Sequence, residues 1–118
     1  MVESIARNKS ELFAIRIVNL CRHLIDKKKE FILSKQILRS GTSIGANLAE
    51  SECAISKNDF AAKVYIVLKE TVETAYWIRL LRNTNLITEK EFASLSKDCE
   101  ELRKILSSTT KTLKDNLK

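Results

Sequence analysis

The stretch Arg39-Ser-Gly-Thr-Ser-Ile-Gly-Ala-Asn-Leu-Ala-Glu50 constrains this chain more than any other. Its polar residues Arg39, Ser43, Asn47 and Glu50 recur at spacings of four, four and three, which stacks them in one row on an α-helix. Gly41, Gly45 and Ala49 form a second, smooth row along which another helix could approach closely. Ile37, Ile44 and Leu48 form a third, apolar row. A helix with three such rows meets neighbours on several sides, which is an architectural pattern and not a catalytic one.

Composition agrees with an all-helical domain. Proline is absent and only two glycines occur in 118 residues, too few for the turns of a β or α/β fold. Apolar residues at 44% and charged residues at 31% are normal for a globular chain and argue against disorder. At this length one domain is expected. No apolar run approaches a membrane span of about 20 residues, and the N-terminus lacks the apolar core of a secretion signal. A cytoplasmic protein without membrane contact is expected. Cys21, Cys53 and Cys99 are odd in number and far apart, which reads as reduced, mostly buried thiols.

Apolar periodicity divides the chain into four helices. The first, about 4–28, carries Phe13, Ile17, Leu20 and Leu24 on one stripe widened by Ala14, Val18, Cys21 and Ile25, with Ser4 or Asn8 as cap. The second, about 34–55, is capped by Ser34. The third, about 57–83, opens at Ser56-Lys-Asn-Asp59, a capping box with Asp in place of Glu. The fourth, about 89–116, opens at the full box Thr88-Glu-Lys-Glu91 and carries Phe92, Leu95, Cys99, Leu102, Ile105 and Leu106. With connectors this short, consecutive helices pack antiparallel, predicting an up-down-up-down four-helix bundle.

Helix three is the most apolar. One stripe holds Phe60, Val64, Leu68, Val72 and Ala75, yet Tyr65, Ile66, Val67, Tyr76, Trp77, Ile78, Leu80 and Leu81 lie outside it. This surplus, with Tyr65, Tyr76, Trp77 and Leu80 as candidates, predicts a subunit interface; the competing reading is a helix enclosed on more sides by its own bundle.

A hairpin turning near Ser56 pairs positions whose numbers sum to about 112. Arg39 then faces Glu73, Ser43 lies near Lys69–Glu70, and Asn47 lies near Tyr65. An interhelical Arg39–Glu73 pair extended by Ser43 and Glu70 is expected, acting to fix register. Loss of one partner would cost on the order of 3–5 kcal/mol if the site is dry.

The net charge of +6 is uneven: residues 1–40 hold nine Lys/Arg against four Asp/Glu. The dense spot is Lys27-Lys28-Lys29, followed by Lys35. Such a surface attracts phosphate backbones, or else it simply complements a helix C-terminus.

With the helices placed, the chain resembles the bacterial four-helix-bundle family of rRNA intervening-sequence proteins. The matching stretches are Ser34-Lys-Gln-Ile-Leu-Arg-Ser-Gly-Thr-Ser-Ile-Gly-Ala-Asn-Leu-Ala-Glu50, Ser56-x-x-Asp59-Phe60, and Lys69-Glu-Thr-Val-Glu-Thr-Ala-Tyr-Trp77. Ser51 departs from the pattern, since many relatives have Gly there. The resemblance implies an antiparallel four-helix bundle similar to accessory proteins of diversity-generating retroelements. Those assemble as ring-like homopentamers whose basic surface contacts RNA and a reverse transcriptase.

Three functional classes follow. The first is an oligomeric scaffold, a pentamer if the kinship holds, that contacts RNA or other nucleic acid through phosphates at Lys27, Lys28, Lys29 and Lys35. An aromatic-interleaved basic surface is not expected, because the aromatics fall mostly on apolar stripes. The second is a protein-interaction module, for example a partner of another product of the same locus. The third, an enzyme, finds no support, and no metal or cofactor is expected. His23 is the single histidine, Glu-x-x-His is absent, and Gly41-x-x-x-Gly45 lacks the Lys-Ser/Thr of a P-loop. Cys53 follows Glu52 without a basic neighbour to activate it.

Overall fold

The computed structural model describes residues 4–116. It contains α1 (Ser4–Lys28), α2 (Leu33–Ser51), α3 (Lys57–Asn83) and α4 (Glu89–Asn116), and no strand occurs among the described residues. Each helix packs against its neighbours in sequence, α4 returns to α1, and the bundle measures 48 × 22 × 20 Å. Contacts run in opposite senses along the helices they join. Cys21 meets Ser34 and Arg7 meets Glu52 between α1 and α2. Cys99 meets Thr71 and Arg82 meets Glu89 between α3 and α4. Lys9 meets Glu101 and Arg16 meets Asp98 between α1 and α4.

The chain ends its helices with local chemistry. Ser56 Oγ accepts from the Asp59 N–H at 3.0 Å, while the Asp59 carboxylate accepts from the Ile55 N–H at 3.0 Å. Asp therefore closes the box on the residue before the cap. Thr88 and Glu91 form the reciprocal box, at 2.8 and 3.1 Å. Asn85 (φ 62) takes the left-handed conformation beyond α3, so that the Leu86 N–H reaches the Leu81 carbonyl at 2.9 Å.

Two boundary expectations need correction. Helix α2 stops at Ser51 and not near Ile55, because the next amides bond three residues back, Cys53 to Glu50 at 2.9 Å and Ala54 to Ser51 at 3.2 Å. Nor does Ser34 cap it. Ser34 lies inside the first turn and its hydroxyl donates to the Glu30 carbonyl at 2.9 Å; the Glu30 carboxylate does the capping, accepting from the Ile32 and Ser34 N–H groups at 3.2 and 2.8 Å. Asn8 lies within α1 and is not its cap, and the Ser4 side chain lies outside what is described.

Phe13, Ile17, Leu20, Leu24, Ile37, Ile44, Leu48, Leu95, Cys99, Leu102 and Leu106 fill the core. On α3 the buried positions are Ala61, Val64, Val67, Thr71, Thr74, Ile78 and Leu81, a repeat of threes and fours sustained over six steps. This overturns the expectation that Val72 belongs to the core stripe; it is 51% exposed. The sequence pattern misled because Thr71 and Thr74 read as polar. Inside the bundle their hydroxyls donate to the Val67 and Glu70 carbonyls at 2.8 Å, which leaves Thr74 Oγ1 to accept from the Ser40 hydroxyl at 2.9 Å. With each hydroxyl satisfied, burying it carries little cost.

The smooth row of α2 faces α1. A Cβ at Gly41 would stand 2.9 Å from the Ile17 side chain, whereas one at Gly45 would stand 3.4 Å from Ser10 Oγ. Ala49, the third member, is exposed.

Candidate functional site

Arg39, Glu70 and Glu73 come together as the hairpin register predicts. Arg39 Nη1 donates to Glu70 Oε2 at 3.3 Å and Nη2 donates to Glu73 Oε2. Trp77 Nε1 donates to that same Glu73 oxygen at 2.9 Å. The site is wet: the Arg39 side chain is 48% exposed. A cost of 3–5 kcal/mol for a broken dry pair therefore does not apply; an exposed pair contributes about 1 kcal/mol or less.

Ser43 does not extend this network, and Asn47 stays out of it. Ser43 Oγ donates to the Arg39 carbonyl at 2.6 Å and Asn47 Nδ2 to the Ser43 carbonyl at 2.8 Å, both within α2. Short side chains on a helix reach their own preceding turn more easily than a neighbouring helix. Glu50 is exposed near the end of α2. The row thus crosses to α3 at one level, Arg39–Glu70–Glu73–Trp77, with local hydrogen bonds below it.

Lys27, Lys28, Lys29 and Lys35 gather at the end of the bundle where α1 gives way to α2. All four are exposed, and among the described residues none lies within 4.0 Å of a carboxylate. Three of the acidic groups at this end, Glu30, Glu89 and Glu91, are engaged with other partners, while Asp26 is exposed beside Lys27. Partial burial pushes the Glu30 carboxyl upward, but the amides of Ser34, Leu33 and Ile32 outweigh this and hold it below its usual value. The Thr88 amide likewise draws Glu91 downward. Arg82 pairs with Glu89 at 3.4 Å and lies 3.9 Å over the Phe92 ring. A cleft of about 670 Å³ between α1 and the α3–α4 connector is bordered by His23, Lys28, Arg82, Asn85, Glu89 and Glu91.

The outer face of α3 presents Tyr65, Ile66, Val72 and Tyr76, each at least 40% exposed. Trp77 is half-buried, packs against the core, and meets Tyr76 edge-on at 5.0 Å; Leu80 is half-buried too. Val67, Ile78 and Leu81, counted with the surplus in the sequence, are buried within the bundle itself.

Of the thiols, Cys21 and Cys99 are buried, and desolvation pushes them up to about 11 and about 12. Cys53 is exposed: it lies past the end of α2, in the turn before α3, so two of the three thiols are buried. Among the described residues no group of three or more His, Cys, Asp or Glu could hold a metal, and no helix is long and apolar enough to cross a membrane.

Residues 3–108 match the family described as 23S rRNA-intervening sequence protein. The chain belongs to this family. A crystal structure at 1.70 Å of a protein with unknown function, from the S23 ribosomal protein family of Bacteroides thetaiotaomicron VPI-5482, superposes with a TM-score of 0.91. It is 50% identical, and the match covers 94% of this chain and 99% of that one. No curated protein matches. The family assignment agrees with the motifs on α2 and α3, where the interhelical contacts of Arg39, Glu70, Glu73 and Trp77 are found.

Proposed function

We propose that this member of the 23S rRNA-intervening sequence protein family is a non-catalytic, cytoplasmic homo-oligomer. In this reading it binds RNA, or another nucleic acid, through phosphates at Lys27, Lys28, Lys29 and Lys35. The observation that carries the reading is the set of four exposed lysines at one end of the bundle, none within 4.0 Å of a carboxylate among the described residues, with Glu30 and Glu91 nearby engaged in helix caps. Such a cluster attracts phosphates through counterion release and carries little sequence selectivity. The α3 face of Tyr65, Ile66, Val72 and Tyr76 supports self-association, and kinship to ring-forming accessory proteins implies a pentamer.

Light scattering on freshly purified protein reports assembly, and its absorbance ratio reports co-purified nucleic acid. RNA affinity is expected to fall steeply with salt, and glutamine at the four lysines to flatten that slope. Binding unchanged between low and high salt contradicts the reading. The same α3 face favours a second reading, a module that docks another product of its locus without any nucleic acid. Partners retained in a pull-down from nuclease-treated extract support it.

A further inference from the structure

Three of the four phenylalanines serve the core. Phe13 is buried, Phe60 and Phe92 pack against it, and Arg82 covers the Phe92 ring. Phe31 does not. It lies on the connector between α1 and α2, 58% exposed, beside Ile32 at 75%. Lys27, Lys28 and Lys29 precede it and Lys35 follows within the first turn of α2.

Several of the connector's backbone amides are bonded locally. The Glu30 N–H donates to the Leu24 carbonyl at 3.0 Å, and the Glu30 carboxylate takes the Ile32 and Ser34 amides. The one acid next to Phe31 is therefore bound to a helix terminus, and the Ile32 and Ser34 amides are not free for an anion. An aromatic ring, an isoleucine and lysines remain on the outside. Lys29 takes the left-handed conformation (φ 54) just past the end of α1, as a helix C-terminus commonly does.

We propose that Phe31 is a stacking platform for an unpaired nucleobase, with Lys27, Lys28, Lys29 and Lys35 holding the flanking phosphates. The inference rests on the nucleic-acid reading above and narrows it to single strands, loops or bulges. Aromatic rings beside a cationic track bind single strands because every base has a π face, whereas a duplex keeps those faces stacked inside. The surface that sequence periodicity did not anticipate is thus present, in miniature, at the connector. An anionic lipid surface fits less well. Interfacial binding uses the long apolar face of an amphipathic helix lying flat, and here two apolar side chains sit on a tight turn between two helices.

The test uses the full chain, a short labelled single-stranded RNA, the duplex formed with its complement, and vesicles containing phosphatidylserine. Phe31→Ala is expected to weaken single-strand binding roughly 5- to 150-fold, with duplex binding and the salt slope unchanged. Phe31→Trp is expected to retain binding, with its emission quenched on adding the single strand. Glutamine at the four lysines weakens both RNAs and lowers the slope. Since Phe31 lies outside the core, circular dichroism of each variant should match the parent. If Phe31→Ala binds the single strand as tightly as the parent while the lysine variants do not, the stacking role is overturned and the phosphate reading stands. If the parent binds neither RNA, both fall. Phe31-dependent binding to vesicles without RNA binding overturns the inference in favour of lipid.

Discussion

Helix α1 meets α2 and α4 by different means. Against α2 it lies so close that a Cβ on Gly41 would come within 2.9 Å of Ile17. Against α4 long side chains span the seam: Lys9 reaches Glu101 at 2.9 Å, and Arg16 reaches Asp98 at 2.7 Å and Ser94 Oγ at 2.9 Å. A groove of about 470 Å³ lies along it, lined by Arg16, Asn19, Leu20, His23, Ser94 and Leu95. Close contact comes from missing side-chain atoms and tolerates no addition, whereas a bridged seam tolerates loss because its charges are already half in water.

The largest expected effect tests the close seam. Gly41→Ala gains about 1 kcal/mol of helix propensity, but its Cβ meets a fully buried, β-branched Ile17 that cannot swing aside. Overpacking of about 1–3 kcal/mol outweighs that gain, so the melting temperature should fall by several degrees. Gly45→Ala, four residues on, meets only ordinary contact with Ser10 and should raise stability by about 0.5–1 kcal/mol. Equal shifts in thermal melts for the two variants would erase the distinction drawn between them.

Arg16→Met probes the bridged seam. Its side chain is 37% exposed and that of Asp98 40%, so the loss should stay below about 1 kcal/mol and shrink in high salt. A similar magnitude is expected for the coupling between Arg39→Met and Glu73→Leu in a double-mutant cycle. Denaturant melts of the two singles and the double measure it, and strict additivity would mean that the pair contributes nothing.

Smallest is the acid limb. Glu30 and Glu91 have carboxyls lowered from 4.5 by their capping bonds. Their stabilisation is complete above that value and is lost as pH falls through the lower folded one. Stability of Glu91→Gln should therefore decline less steeply than that of the parent below pH 4.5. Parallel acid-unfolding curves would show that the Thr88–Glu91 box carries no such linkage.

Much of the fold was legible along the chain, and part of the candidate site. Thr88 and Glu91 announce a helix start because both partners of the box lie within four residues. Arg39 could be matched to Glu73 because a short connector leaves a helical hairpin little freedom in register. Periodicity says nothing of Phe31, because it measures position on a helix and Phe31 stands on none. Val72 was misassigned for the opposite reason: it fits a helical stripe that Thr71 and Thr74, their hydroxyls bonded to the preceding turn, occupy instead.

What the chain determined by itself are the four rods, their caps and the pairing of α2 with α3, all settled by residues near in sequence or joined by short turns. Only the tertiary structure decided which faces stay bare, that α1 presses on α2 yet is bridged to α4, and that Phe31 stays exposed while the other phenylalanines join the core. Burial depends on neighbours that arrive from distant parts of the chain, and no local spacing encodes them.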